Sequence, residues 1–146
     1  MTDTTILDRA NVVAAGSAAT REDAIREAGA LLVAAGAVEP GYVDSMQERE
    51  NTVSTFMGNG LAIPHGTNES KDEIKRSALS FIRYSSPLDW GGEEVRFVVG
   101  IAGQNNEHLE ILSKIAILFS EEDDVQKLLD APDADALYAL LGDVNE

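Results

Sequence analysis

The stretch Val95-Arg96-Phe97-Val98-Val99-Gly100-Ile101-Ala102 is the longest nearly uninterrupted apolar run among the strand candidates of this chain. A strand with one face in water alternates apolar and polar residues, whereas this run does not alternate. Such a pattern is typical of a strand that is covered on both faces. We therefore expect this segment to lie inside a sheet with helices packed on each side.

Further strand candidates precede it. Residues 78–84 (Ala-Leu-Ser-Phe-Ile-Arg-Tyr) predict a second strand, and Gly91-Gly92 marks the turn between the two. Residues 52–57 predict another strand, which leads through a glycine-containing turn at 58–60 into residues 61–65. The sequence thus predicts a group of strands in the middle of the chain.

Helical patterns flank the strands on both sides. Thr20 resembles an N-cap before an apolar helical repeat that ends at Gly36, and Pro40 opens a second helix to about Arg49. Three further helices are expected: 107–119, a segment capped at Ser120, and a segment that restarts at Pro132-Asp133 and ends at Gly142. Helices before and after strands predict an α/β (α+β) fold, a mixed β-sheet flanked by helices on both faces.

Composition limits the possible functions. The chain has 146 residues, no cysteine and a net charge of −15, and no internal linker divides residues 1–146, which we expect to form a single domain. The charge disfavours nucleic acid and anionic membranes as partners and favours a protein with a basic face. There is no apolar stretch of membrane-spanning length and no secretion signal, so we expect a cytoplasmic protein with no direct membrane insertion.

His65, one of two histidines, stands between Pro64 and Gly66 after a short apolar run. Pro64 restricts the backbone, and Gly66 permits angles that a larger residue would resist. A neutral imidazole is a good nucleophile near pH 7, because its ordinary pKa is about 6.5. The functional hypothesis is a phosphorylated nucleophile; the alternative is a histidine that is merely hydrogen-bonded at a strand end.

Arg49 and His108 would complete a phosphate site. Arginine binds phosphate oxygens at two points, and His108 lies in the first turn of a helix, where free N–H groups favour an anion. The alternatives are a solvated Arg49 and a His108 that only caps its helix. Two histidines 43 residues apart give a thin metal-ligand set, and the sequence has no Gly-x-Ser-x-Gly and no Walker loop. We expect no metal and no organic cofactor, and a phosphate that arrives on another protein.

Several motifs together resemble a known family. They are Thr20–Ile25, Met46–Glu50, Met57–Thr67, Val99–Ala102 and Asn106–Leu109. Over nearly the whole chain the sequence is similar to the EIIA component of the phosphoenolpyruvate-dependent sugar phosphotransferase system (PTS), in the mannitol/fructose class and closest to the mannitol type. Asn59 stands where certain members have Glu.

The resemblance implies a phosphocarrier that accepts a phosphoryl group from phospho-HPr on His65 and passes it to a sugar-specific EIIB. It implies that His108 and Arg49 stabilise the phosphohistidine, and that the fold is a mixed sheet flanked by helices. The sugar implied is mannitol, with fructose or another polyol as possibilities. The alternative function is a regulatory module of the same fold, whose phosphorylation state controls a transporter or a transcription regulator.

Overall fold

The structure is a computed structural model that describes residues 6–104 and 107–141. The strands within those ranges are β1 (Val12–Val13), β2 (Phe56–Gly58), β3 (Leu61–Ala62), β4 (Ala78–Trp90) and β5 (Glu93–Ala102). They form one sheet in the order β1-β4-β5-β3-β2. β1 pairs with β4 and β3 with β5 in parallel, while β4–β5 and β2–β3 are antiparallel. The predicted mixed sheet is confirmed.

Helices cover both faces of this sheet. Within the same ranges they are α1 (Arg21–Ala34), α2 (Tyr42–Thr52), α3 (Glu107–Leu118), α4 (Glu122–Asp130) and α5 (Ala134–Leu140). Side chains of α1 and α2 share one buried apolar cluster with Val98, whereas side chains of α3, α4 and α5 share another with Phe97. Because neighbouring residues of β5 lie in opposite clusters, the prediction of a strand covered on both faces is confirmed.

The helix termini follow the capping signals in most places. Thr20 Oγ1 accepts a hydrogen bond from Asp23 N at 3.2 Å, and Gly36 follows α1 with φ of +75°. Asp133 caps α5 by accepting from Ala136 N at 2.9 Å. The predicted cap at Ser120 is wrong: α4 begins one residue later than that cap requires, and the Ser120 hydroxyl donates to Ile117 O instead.

The strand predictions on the N-terminal side of β4 need correction. Residues 52–57 were expected as a strand, but only Phe56 and Met57 lie in one, namely β2. Thr52 ends α2, and the main-chain N–H of Thr55 donates to a side chain of that helix. The next predicted strand, residues 61–65, stops at Ala62, because Pro64 has no N–H for a ladder. His65 rejoins the sheet only through an isolated parallel bridge to Ile101.

Other differences concern length and short elements. β4 runs on to Trp90, well past the predicted end at residue 84, and β1 was not predicted because two residues make no pattern. Asn59 occupies a tight turn at φ +52° between two positive-φ glycines, and its Nδ2 donates to Phe119 O at 2.6 Å. Asn59 therefore has a structural role. The predicted helix end at Gly142 and the Asn105-Asn106 pair lie outside the described residues.

Candidate active site

The three predicted site residues line one cavity of about 580 Å³. α2 supplies Arg49 from its last turns, the segment after β3 supplies His65, and the first turn of α3 supplies His108. The carboxyl ends of β3 and β5 lead into this cavity, because β3 runs parallel to β5 and His65 bridges to Ile101 near the end of β5. Tertiary structure thus gathers residues that are far apart in sequence.

The two imidazoles face each other. Their ring centroids are 5.2 Å apart and the ring planes are tilted by 58°. His65 Nδ1 lies 2.9 Å from Ile63 O. A carbonyl oxygen only accepts, so Nδ1 carries the hydrogen, and in a neutral ring the lone pair then resides on Nε2. If His65 acts as a nucleophile, Nε2 is therefore the atom that attacks.

The surroundings favour the neutral form of both histidines. Burial lowers the pKa of His65 below its ordinary value, and the positive charge of Arg49 lowers it further, against the opposing effects of the Ile63 carbonyl and Glu50. Burial also lowers the pKa of His108, with added contributions from His65 and Lys71. At neutral pH His65 therefore holds a lone pair ready to attack an electrophile.

Tyr42, the first residue of α2, fixes the segment that carries His65. Its buried hydroxyl donates to Ile101 O at 2.9 Å and accepts from Gly66 N at 2.9 Å. A Cβ on Gly66 would lie 2.5 Å from the Tyr42 ring and 2.5 Å from Ser70 Oγ. Gly66 is not among the residues with positive φ, so the predicted reason for this glycine is wrong. Glycine is needed here because the main chain approaches Tyr42 closely.

Arg49 is held at the edge of the cavity by the end of its own helix. Its Nη1 donates to Val53 O at 2.7 Å. Lys71, in the short 3₁₀ turn Asn68–Glu73, also lines the cavity. Together they place positive charge at a cavity of a protein whose net charge is −15. Such a cavity suits an anion whose oxygens need charge-assisted hydrogen bonds.

His108 is the second residue of α3, as predicted, and the chain before the helix packs tightly against it. A Cβ on Gly103 would lie 2.6 Å from His108 Cα. A helix start favours negative charge, so His108 stands where a transferred phosphoryl group would be stabilised.

Sequence reasoning missed four residues around the three that it named: Tyr42, Glu50, Lys71 and Gly103. One signal for Tyr42 was available, because it precedes Arg49 by seven residues and so shares a helix face with it. The other three become visible only in the tertiary structure.

Within residues 6–104 and 107–141, no group of three or more His, Cys, Asp and Glu side chains could hold a metal ion. In that same part of the chain, every helix is too short or too polar to cross a membrane.

The chain is similar to known proteins over nearly its whole length. The family described as "Phosphoenolpyruvate-dependent sugar phosphotransferase system, EIIA 2" matches residues 5–144. The mannitol-specific phosphotransferase enzyme IIA component of Halalkalibacterium halodurans is 52% identical over 142 residues, which cover 97% of this chain and 98% of that protein.

Two solved structures from Escherichia coli share the fold. The crystal structure of IIA mannitol superposes with a TM-score of 0.85 at 36% identity, covering 92% of this chain and 97% of that one. The complex of enzyme IIAMtl with phosphorylated enzyme IIBMtl gives a TM-score of 0.82 at 36% identity, covering 88% of this chain and 92% of that one.

Proposed function

Since this chain belongs to the EIIA type 2 family of the phosphoenolpyruvate-dependent sugar phosphotransferase system, we propose that it carries a phosphoryl group on His65, from phospho-HPr to the EIIB of a mannitol-type transporter. The family membership already makes it a component that mediates phosphoryl transfer. What we propose beyond this is that His65 carries the phosphoryl group, that phospho-HPr is the donor and that mannitol is the sugar. We assign residues 1–146 to a single domain of this kind.

The observation that carries the proposal is the hydrogen bond from His65 Nδ1 to Ile63 O at 2.9 Å. It leaves the lone pair on Nε2, in a ring that burial and Arg49 keep neutral. In the transfer step, that lone pair forms a bond to phosphorus while the P–N bond of the donor's phosphohistidine breaks. The electron pair of the broken bond returns to the donor nitrogen. The proton on Nδ1 stays on the ring, bonded to the Ile63 carbonyl.

Arg49 and His108 act on the phosphoryl oxygens in this scheme. Phosphoryl transfer requires positioning and charge stabilisation more than covalent assistance. The Arg49 guanidinium offers a planar fork, and His108 adds a donor at a helix start. The second transfer reverses the first: an EIIB nucleophile attacks phosphorus, and the electron pair of the P–Nε2 bond returns to His65. The mannitol assignment is supported by the 52% identical relative and by the E. coli IIA structure.

The test is reconstitution. The protein is incubated with phosphoenolpyruvate, enzyme I and HPr, the acid-labile phosphate is mapped, and EIIB proteins of mannitol and fructose transporters are then added. We expect one label, on His65, which the mannitol EIIB discharges faster than the fructose EIIB. His65→Ala should abolish labelling and leave the fold intact. Stoichiometric labelling of that variant would overturn the assignment, and a label that no EIIB removes would favour a regulatory module.

A further inference from the structure

Glu50 is a buried carboxylate beside the site and has no assigned role. It follows Arg49 in α2, and only 5% of its surface is exposed. Its Oε2 accepts from Thr55 N at 2.8 Å and from Trp90 Nε1 at 3.0 Å, while Oε1 accepts from the Thr55 hydroxyl. A carboxylate is costly to bury unless hydrogen bonds compensate it. These three bonds tie α2 to residue 55 and to β4.

One chain of hydrogen bonds leads from Glu50 to the nucleophile. Thr55 is held by both its main-chain N–H and its hydroxyl, and its carbonyl accepts from Ile63 N at 3.1 Å. The carbonyl of the same Ile63 accepts from His65 Nδ1. Glu50 therefore holds Thr55 in place, Thr55 holds Ile63, and the Ile63 carbonyl selects the tautomer of His65.

A second connection leads from Glu50 to Arg49. The bonds between Glu50 and Thr55 close the short loop that follows α2, and Val53 lies within it. Val53 O accepts from Arg49 Nη1 at 2.7 Å, and Val53 N donates to Arg49 O at 3.3 Å. The carbonyl that holds the guanidinium is thus placed by the same loop.

We propose that Glu50 is a positioning residue, which holds the carbonyls that orient His65 and Arg49 for phosphoryl transfer. The inference rests on the proposed function for its kinetic part only. Glu50 touches neither nucleophile nor phosphate; it acts through residues 53, 55 and 63. A carboxylate that merely stabilised the core would leave the His65 tautomer unchanged when removed.

The variants separate geometry from charge. Glu50→Gln keeps an acceptor for Thr55 N and Trp90 Nε1, and its amide can donate to the Thr55 hydroxyl, so the loop stays closed without the charge. Glu50→Ala loses all three bonds. Glu27→Ala is the matched control, since Glu27 also accepts from main-chain N–H groups and hydroxyls, at the Ser17 and Tyr84 side of the core. Thr55→Val removes only the hydroxyl bond, for use if Glu50→Ala does not fold.

Two measurements are made on each variant. Nitrogen-15 chemical shifts of the His65 ring above its pKa give the fraction of the Nδ1–H tautomer, without any phosphate. Rapid-quench kinetics with phospho-HPr give the transfer rate. In Glu50→Ala we expect a lower Nδ1–H fraction and transfer slowed roughly 10- to 100-fold, since ångström-scale misplacement can cost about a hundredfold. Glu50→Gln should stay within a few-fold of the unsubstituted protein, and Thr55→Val should shift both readouts less but in the same direction.

A Glu50→Ala protein, or a Thr55→Val protein in its place, with unchanged tautomer and rate would overturn the proposal. So would Glu27→Ala if it changed the His65 tautomer as much, because the effect would then come from general loosening of the core. An unsubstituted protein that takes no phosphate would refute the proposed function instead. The tautomer comparison would still decide whether Glu50 orients His65.

Discussion

Replacing Arg49 by alanine should damage transfer far more than stability. In the resting protein the guanidinium makes a hydrogen bond to Val53 O, at an exposed position. Loss of such a bond costs about 0.5–1.5 kcal/mol, which lowers the melting temperature by only a few degrees in a chain of this size. During transfer the same side chain would face a phosphoryl group beside His65. Loss of hydrogen bonds to a charged group costs about 1.5–3 kcal/mol, or roughly 10- to 150-fold in rate.

The assay is rapid-quench measurement of phosphoryl transfer from phospho-HPr to the protein and onward to EIIB, with thermal melting in parallel. Arg96→Ala is the control, because Arg96 Nε also donates to a main-chain carbonyl, Tyr84 O at 2.9 Å, and its loss changes the net charge equally. Arg49→Lys, which keeps the charge without the planar fork, should lie between alanine and arginine. Transfer rates of Arg49→Ala equal to those of Arg96→Ala would remove Arg49 from the site.

Two further predictions follow from the same geometry. Burial and Arg49 lower the pKa of His65, and only the neutral ring attacks, so the rate of acceptance should fall on acidification with an inflection below the ordinary pKa of about 6.5. Arg49→Ala should move this inflection to higher pH, and an inflection above 6.5 in the unsubstituted protein would contradict the assignment. Gly66→Ala puts a Cβ 2.5 Å from the Tyr42 ring and should destabilise by about 1–3 kcal/mol and slow transfer. Gly41→Ala, which meets only the movable Glu73 carboxylate, should do neither, as melting curves and quench kinetics would show.

The local sequence was sufficient to predict an element where a short pattern is compatible with only one local structure. The apolar run at 95–102 is shielded from water only if helices pack on both faces of the strand, and both faces of β5 are buried in this way. Thr20 and Asp133 were recognisable as caps, because a cap bond spans three residues. Ser120 does not cap α4, because its hydroxyl donates to Ile117 O in the preceding helix. Such a local bond competes with capping, and the sequence does not reveal which of the two forms.

The extended segments were less predictable. Thr52, Val53 and Thr55 have β-forming side chains, yet Thr52 belongs to α2 and Thr55 binds the Glu50 carboxylate. Strand propensity depends on which neighbours a segment meets, so it cannot decide between a ladder and a side-chain partner. β1, with two residues, exists only because β4 offers it an edge.

In the site, too, the sequence determines some properties and the tertiary structure determines others. The sequence by itself identified His65, His108 and Arg49 as residues whose chemistry suits phosphate, and their roles remain predictions. Only the tertiary structure placed the two imidazoles 5.2 Å apart and showed that Ile63 O accepts from Nδ1, which leaves the lone pair of the neutral ring on Nε2. The bond from His65 to Ile63 spans two residues, but its direction depends on Thr55, Tyr42 and β5, which hold the segment from distant parts of the chain. Residue type sets what a side chain can do, whereas tautomer, pKa and distance are set by neighbours that the fold brings together.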